Sequence, residues 1–188
     1  MKHPEILLLP LLMFADYFLT VLGSIEREKR HALHFKIEDY ELNPLWQKAI
    51  RERKWFNLRH TLIVIAATSV LMWAPESGNM PEEFAQVMLG ALLVLLSMIV
   101  GKHISNILTF RYLVKRPDRA SGQVTMSHQL VLRISMYQTL IVLLPILLIA
   151  ILSRSDYAVG GVFGVTLFIC VHLGWIRKAN RRDRQRGV

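Results

Sequence analysis

The chain has 188 residues, 53% of them hydrophobic, and a mean hydropathy of +0.34. This composition excludes an ordinary water-soluble domain and predicts a single integral membrane unit. The formal net charge of +9 could suit nucleic acid, but the basic residues lie beside apolar runs, as membrane topology requires, so we expect no nucleic-acid partner. Cys170 is the only cysteine, which excludes a disulfide or a cysteine-based metal site within one chain.

Five apolar runs, each close to the length that crosses a bilayer, predict an all-α bundle of five transmembrane helices in one domain. The first run contains Asp16 and has no small-residue cleavage site near its end, so we interpret it as a retained span and not as a signal peptide. The predicted spans are residues 4–23, 57–74, 83–110, 128–152 and 157–176.

The first connection is predicted to contain a helix of its own, over residues 44–56. Asn43 is placed to cap this helix and Pro44 to occupy its first position. An apolar face opposite a basic face is typical of a helix that lies in the membrane interface against anionic headgroups. After the last span, residues 177–188 form a basic tail.

Basic residues are unevenly distributed over the connections. The first connection, the third connection and the tail are rich in lysine and arginine, the second has neither, and the fourth has only Arg154. This alternation fits five spans, and the positive-inside rule then places the amino terminus outside and the carboxyl terminus in the cytoplasm. We expect an integral protein of the bacterial inner membrane.

The third span carries two features side by side. One is a ridge of small side chains, spaced by four residues, that would let another helix approach closely. The ridge consists of Ser97, Gly101, Ser105 and Thr109. On a neighbouring face, a spacing of three residues places His103 and Asn106 together. In the fifth span, Gly160 and Gly164 form a Gly-x-x-x-Gly pair that also permits a close helix crossing.

Polar side chains inside the spans are the candidate site, because each is costly in hydrocarbon unless it meets a partner or water. We predict that Asp16, His103, Asn106 and His172 share one polar site in the cytoplasmic half of the bundle. Asp16, His103 and His172 are also the candidate metal ligands. Against a metal, no two of the histidines have the spacing of ligands on one helix. The sequence identifies no cofactor, and haem held by histidines of separate helices stays open.

The alternative interpretation of these polar residues is structural, with hydrogen bonds that only hold helices together. His60 and His128 begin spans at the same face and are predicted to lie among the headgroups, with His60 peripheral to the site. Arg133 lies more than a turn inside the fourth span and would reach the headgroups or pair with an acid such as Asp16. Arg111 is predicted to determine topology. Arg111, His128 and Arg133 are additional site candidates.

Two short motifs resemble a known group of proteins. Asp16-Tyr-Phe-Leu-Thr20 is followed by Glu41-Leu-Asn-Pro44. This pattern resembles an uncharacterised family of small bacterial and archaeal multi-pass membrane proteins, whose first span carries Asp-x-x-x-Thr before a Glu-Leu-Asn-Pro motif. The resemblance covers residues 10–75, and the stretch between the motifs is longer here. It implies no activity, but it implies that Asp16 and Glu41–Pro44 belong together. Thr20, Glu41 and Asn43 are therefore further additional site candidates.

Three classes of function remain. The leading hypothesis is a small transporter or channel-like protein, expected to be a homo-oligomer, with a pathway past the polar site. The second is an intramembrane enzyme that acts on a lipid or lipid-linked substrate through a histidine or metal centre. The third is a non-catalytic subunit or scaffold. No nucleotide-binding glycine loop or nucleophile elbow is present, and the expected partners are membrane lipids and anionic headgroups at the cytoplasmic face.

Overall fold

The computed structural model describes residues 4–36, 41, 43, 45–78 and 80–185, with the backbone alone for 182–185. This part of the chain is essentially all-α, as predicted. A 3₁₀ turn, Pro4–Leu7, leads into the first helix, and another, Pro117–Arg119, follows the fifth. The α-helices are α1 Leu8–Lys29, α2 His31–His34, α3 Gln47–Arg51, α4 Leu58–Glu76, α5 Glu82–Lys115, α6 His128–Ser153 and α7 Asp156–Gln185.

Five of these helices, α1, α4, α5, α6 and α7, are long and apolar enough to cross a membrane, as the predicted bundle of five spanning helices requires. Their ends extend further than the apolar runs do. α5 has 34 residues and is about 51 Å long at about 1.5 Å per residue, well beyond the ~30 Å hydrocarbon core. α7 continues as a helix to Gln185, so most of the predicted basic tail is helical, and residues 186–188 lie outside the described part.

Local signals account for the helix starts. The Asn57 side chain accepts a hydrogen bond from the His60 backbone N–H and caps α4, as its position predicts. Ser127 caps α6 in the same way, through the Leu130 backbone N–H. α6 ends at Ser153, and the positive φ of 52° at the following Arg154 turns the chain directly into α7.

The five spanning helices pack in an arc. In order along the arc they are α4, α1, α5, α7 and α6, because α5 packs extensively on both α1 and α7, and α6 packs on α7. α6 has no extensive contact with α1 among the described elements. The arc is therefore open between α1 and α6.

α5 and α7 run in parallel with their backbones in contact. A Cβ atom at Gly160 would overlap the Val87 carbonyl, and one at Gly164 would overlap the Ala91 carbonyl. Gly90 meets the Tyr157 backbone in the same way. The predicted glycine pair of the last span is thus a close helix crossing.

The small-residue ridge of α5 makes no such contact with the described part of the chain. All four of its residues are exposed, and a Cβ atom at Gly101 would have no neighbour within 4 Å among the described atoms. Because α5 uses Gly90 for its intrachain crossing, any helix that packs on the ridge would belong to another molecule.

The predicted interfacial helix over residues 44–56 is wrong in length. α3 has five residues, Gln47–Arg51, and a positive φ of 52° at Arg53 turns the chain away from the helix. Its buried side chain, Ile50, packs against Tyr17 and Val21 of α1 and not against lipid. Pro44, the predicted first residue, lies outside the described part.

A two-residue parallel pairing joins the first and third connections. Phe35–Lys36 (β1) pairs with Val124–Thr125 (β2). Nearby, the His34 Nδ1–H donates to the Gly122 carbonyl at 2.9 Å, and Gly122 has the positive φ of 74° that this turn needs. The two basic connections therefore lie at the same end of the bundle.

Candidate functional site

A cleft of about 350 Å³ lies inside the arc, at the end of the bundle where the first and third connections meet. Every spanning helix contributes to its lining, and the first connection covers part of it. Its polar lining includes the side chains of Asp16, Thr20, His31, His60, Lys102, His103, Ser135 and His172. Aromatic rings form much of the remaining wall, from Tyr17, Trp46, Phe110, Phe168 and Trp175.

The shortest span shows how deep the cleft lies. α4 has 19 residues and is about 28 Å long, close to the ~30 Å hydrocarbon core, so its first turn marks one membrane boundary. His60 lies in that turn, and its Nε2–H donates to the Met13 carbonyl at 3.2 Å. Asp16 follows Met13 by one helical turn. The polar cleft is therefore placed at the membrane boundary and not at the bilayer centre.

Asp16 and His103 meet across the contact of α1 with α5. His103 Nε2 lies 3.1 Å from Asp16 Oδ1 and 3.0 Å from Thr20 Oγ1. The Thr20 hydroxyl donates to the Asp16 carbonyl at 2.8 Å, so its oxygen accepts from His103, and Nε2 carries the proton. His103 Nδ1 is buried and has no hydrogen-bond partner among the described residues.

A second cluster centres on Ser135 of α6. Its Oγ lies 3.0 Å from Lys102 Nζ of α5 and 3.1 Å from His172 Nε2 of α7. His172 is only 1% exposed, and its Nδ1 lies 3.0 Å from the Phe168 carbonyl oxygen. Among the described residues, no carboxylate is within ion-pair distance of the half-buried Lys102.

His60 is not peripheral, and that prediction is wrong. Its ring is 7% exposed, stacks on Tyr17 with centroids 4.8 Å apart, and meets the edge of Trp46. The start of α4 does mark the boundary, but α1 and the first connection extend past it and cover the ring. His60 therefore lies in the wall of the cleft.

His31 lies where the cleft leaves the membrane, just after α1. Its ring stacks on Phe35 at 4.5 Å and contacts Phe110 at 4.6 Å. Burial is the main reason that the pKa of His31 falls to about 4, and the positive charge of Arg27 and the neighbouring His34 add to the effect. His31 is therefore neutral at physiological pH.

The other predicted residues divide into two groups. Asn106 lines the cleft and is exposed, whereas Glu41 and Asn43 line it and are half-buried. The Asn43 backbone N–H donates to Glu41 Oε1 at 2.6 Å. Asp16, Thr20, Glu41 and Asn43 of the two sequence motifs thus line the same cleft, while Leu42 and Pro44 lie outside the described part.

Arg111, His128 and Arg133 do not line the cleft. Arg111 Nε lies 3.5 Å from Glu26 Oε1, beyond the membrane boundary. Arg133 is exposed, because it precedes the cleft-facing Ser135 by two residues and so lies on the far side of α6. The predicted pairing of Arg133 with Asp16 is not formed.

The residues that the structure describes contain no ligand set for the predicted metal. No group of three or more His, Cys, Asp or Glu side chains among them converges as metal ligands. His103 is directed to Asp16 on α1, whereas His172 is directed to Ser135 on α6. The two histidines share the cleft but not a common centre.

The comparisons with known proteins give no further identity. No protein-family model, curated protein or solved structure matches the chain. Functional inference therefore depends on the geometry of the cleft.

Sequence reasoning did not assign Tyr17, Lys102 or Ser135 to the site. Lys102 is a charged residue inside an apolar run, which is a usable signal by itself. Ser135 has no comparable signal, because a lone serine in a span usually bonds to its own helix. Its role depends on the way α5, α6 and α7 face one another.

Proposed function

We propose that this protein binds an amphiphile with an anionic head group at the membrane boundary. The observation that carries the proposal is Lys102, an ammonium half-buried in a span and without a carboxylate partner among the described residues. A charge in that position is unfavourable without a counter-charge. Ser135 occupies part of its donor capacity and leaves N–H groups available for anionic oxygens.

The shape of the cleft supports an amphiphile over a free anion. The arc is open between α1 and α6, so a molecule in the bilayer could enter sideways with its tail in the hydrocarbon. The aromatic wall, including Phe168 and Trp175, provides apolar surface beside the polar groups, as ligand sites commonly do.

Transport is less well supported by the same geometry. The polar lining is confined to one end of the bundle, whereas the other end is packed with buried apolar residues. These residues are Ile6, Leu9, Leu71 and Leu89. A binding site entered from the bilayer needs no path through this cluster. A purely structural role, in turn, would not require a cleft with an unpaired ammonium.

The alternation of basic residues supports an orientation with the cleft at the cytoplasmic face of a bacterial inner membrane. Anionic lipids of that leaflet are the available class of ligand. We therefore propose that the ligand is a phosphate-bearing lipid or lipid-like molecule.

The test is calorimetric titration of the purified protein, in non-ionic detergent, with short-chain phosphatidic acid. We expect saturable binding, weakened about tenfold or more in Lys102→Gln, because a hydrogen bond to a charged group contributes about 1.5–3 kcal/mol. Lys115→Gln is the matched control, since Lys115 is exposed on the same helix, and it should bind as the wild type does.

Two comparison ligands distinguish the contribution of the head group to binding from that of the tail. Short-chain phosphatidylcholine should bind more weakly if the net negative charge matters, and glycerol phosphate should bind more weakly if the tail matters. Equal binding of all three ligands, or no effect of Lys102→Gln, would contradict the proposal.

A further inference from the structure

Two side chains from two different helices converge on the hydroxyl of a third helix. Ser135 Oγ lies 3.0 Å from Lys102 Nζ and 3.1 Å from His172 Nε2, and all three residues line the cleft. Binding of an amphiphile explains Lys102, but it does not require a buried histidine at hydrogen-bond distance from the same serine.

The contacts determine which atom donates each proton. His172 Nδ1 lies 3.0 Å from the Phe168 carbonyl, and a carbonyl oxygen can only accept, so Nδ1 carries the proton of the neutral ring. His172 Nε2 is then an acceptor, and the Ser135 hydroxyl must donate to it. The Lys102 ammonium, which has no acceptor, donates to the Ser135 oxygen.

Ser135 also differs from other hydroxyl residues of the spanning helices. A serine or threonine in a helix commonly donates to the carbonyl four residues earlier. Thr20, Thr109 and Thr139 all do so, to Asp16, Ser105 and Ser135 respectively. The Ser135 hydroxyl instead points to a neighbouring helix, where a histidine can take its proton.

We propose that Ser135 is a nucleophile, with His172 as its general base and Lys102 as the group that stabilises negative charge. A serine, a hydrogen-bonded histidine and a third group that orients the histidine are the parts of an activated nucleophile. Here the Phe168 carbonyl orients His172, and so acts as a positioning group. The inference rests on the proposed function, because the amphiphile in the cleft is the substrate.

The substrate class is a carboxylic ester of that amphiphile. In a glycerolipid the esters lie between the head group and the tails, which is the depth of a cleft at the membrane boundary. An ester adjoining the anionic head would place its carbonyl near Ser135 while Lys102 contacts the head.

The first half of the reaction transfers the acyl group to the protein. Ser135 Oγ bonds to the ester carbonyl carbon, its proton moves to His172 Nε2, and Lys102 stabilises the negative charge on the carbonyl oxygen. The bond from carbon to the alcohol oxygen then breaks, and the leaving alcohol takes the proton from His172. The acyl group remains on Ser135.

Water completes the reaction. Its oxygen bonds to the acyl carbon while His172 takes one proton, the bond to Ser135 Oγ breaks, and Oγ recovers that proton. The products are a carboxylic acid and an alcohol, so no oxidant or further co-reactant is needed.

The test uses a fluorophosphonate probe on the purified full-length protein, followed by peptide mapping. The serine oxygen would bond to phosphorus, fluoride would leave, and His172 would take the hydroxyl proton. We expect the adduct on Ser135, labelling reduced at least tenfold in His172→Gln, and none at this site in Ser135→Ala. Ser105→Ala is the matched control, because Ser105 is exposed on the outer face of α5, and it should label at the wild-type rate.

The pH profile separates a base from a structural partner. Wild-type labelling should rise with pH as His172 loses its proton, and the residual labelling of His172→Gln should lose that dependence. If Ser135→Ala fails to fold, the mapped adduct on the wild-type protein decides the question alone.

Failure of this inference is distinct from failure of the proposed function. A wild-type protein that binds short-chain phosphatidic acid but is not labelled at Ser135 would overturn the nucleophile and leave the binding site. Labelling at Ser135 without phosphatidic acid binding would overturn the ligand class instead.

Discussion

His103 Nε2 on α5 lies 3.1 Å from Asp16 Oδ1 on α1. The contact joins two of the spanning helices at the membrane boundary, where Thr20 provides a second acceptor for the same N–H. The Asp16 side chain is 29% exposed and that of His103 is 16% exposed, so water screens the pair only in part.

Asp16→Ala should therefore lower the thermal stability of the purified protein. A partly screened, charge-assisted hydrogen bond contributes about 1–2 kcal/mol, which corresponds to a fall of about 2–8 °C in Tm for a chain of this size. Thermal denaturation followed by circular dichroism measures this change. Asp118→Ala is the control, because Asp118 is exposed and pairs with the adjacent Arg119. An equal Tm for the wild type, Asp16→Ala and Asp118→Ala would count against the Asp16–His103 contact.

The close crossing of α5 and α7 limits the size of the side chain that position 164 can accept. Gly164→Leu should prevent correct folding, because its side chain would have to displace the Ala91 backbone. Gly174→Leu is the matched control on the same helix, since a Cβ atom there meets no described atom within 4 Å. Yield of monodisperse protein in size-exclusion chromatography distinguishes the two, and a normal yield of Gly164→Leu would argue against the close crossing.

Gly101→Leu tests whether the small-residue ridge of α5 contacts another molecule. A Cβ atom there meets no described atom of its own chain within 4 Å, so folding should be unaffected. If the protein is a homo-oligomer through this ridge, the same variant should dissociate it into protomers, as measured by light scattering. An unchanged oligomeric state would indicate that the ridge faces lipid.

Orientation is tested by cysteine labelling in a Cys170→Ser background. Ser77 and Ser121 are exposed in the second and third connections. An impermeant thiol reagent should reach cysteine at position 77 only from outside the cell and at position 121 only from the cytoplasmic side. Labelling of both positions from one side would refute the five-span topology.

Acidification should destabilise the fold through His31. Its pKa in the folded protein is about 4, below the ordinary value of 6.5, so its contribution is fully present above pH 6.5 and falls as the pH drops towards 4. Between pH 7 and pH 5 the Tm of the wild type should fall more than that of His31→Gln. His128→Gln should keep the wild-type slope, and equal slopes for wild type and His31→Gln would contradict the prediction.

The fold and half of the site were accessible from sequence for a physical reason. Five apolar runs and a charge alternation specify spans, and the energetic cost of Asp16 in hydrocarbon predicts that it meets a polar partner such as His103. Neither the rotation of α6 that brings Ser135 to His172 nor the open side of the arc leaves a local pattern. His60 was misplaced because its depth was inferred from its own helix, while the cover comes from α1 and the first connection.

The most direct test of the central claim, that an anionic amphiphile occupies the cleft, is photo-crosslinking with short-chain phosphatidic acid bearing a diazirine in its tail. We expect adducts on cleft residues such as Val131, Ile134 and Phe168. Excess unlabelled phosphatidic acid should suppress these adducts, and Lys102→Gln should reduce them. Adducts confined to exposed outer residues such as Ile141, Leu144 and Ile151, unaffected by the competitor, would contradict it.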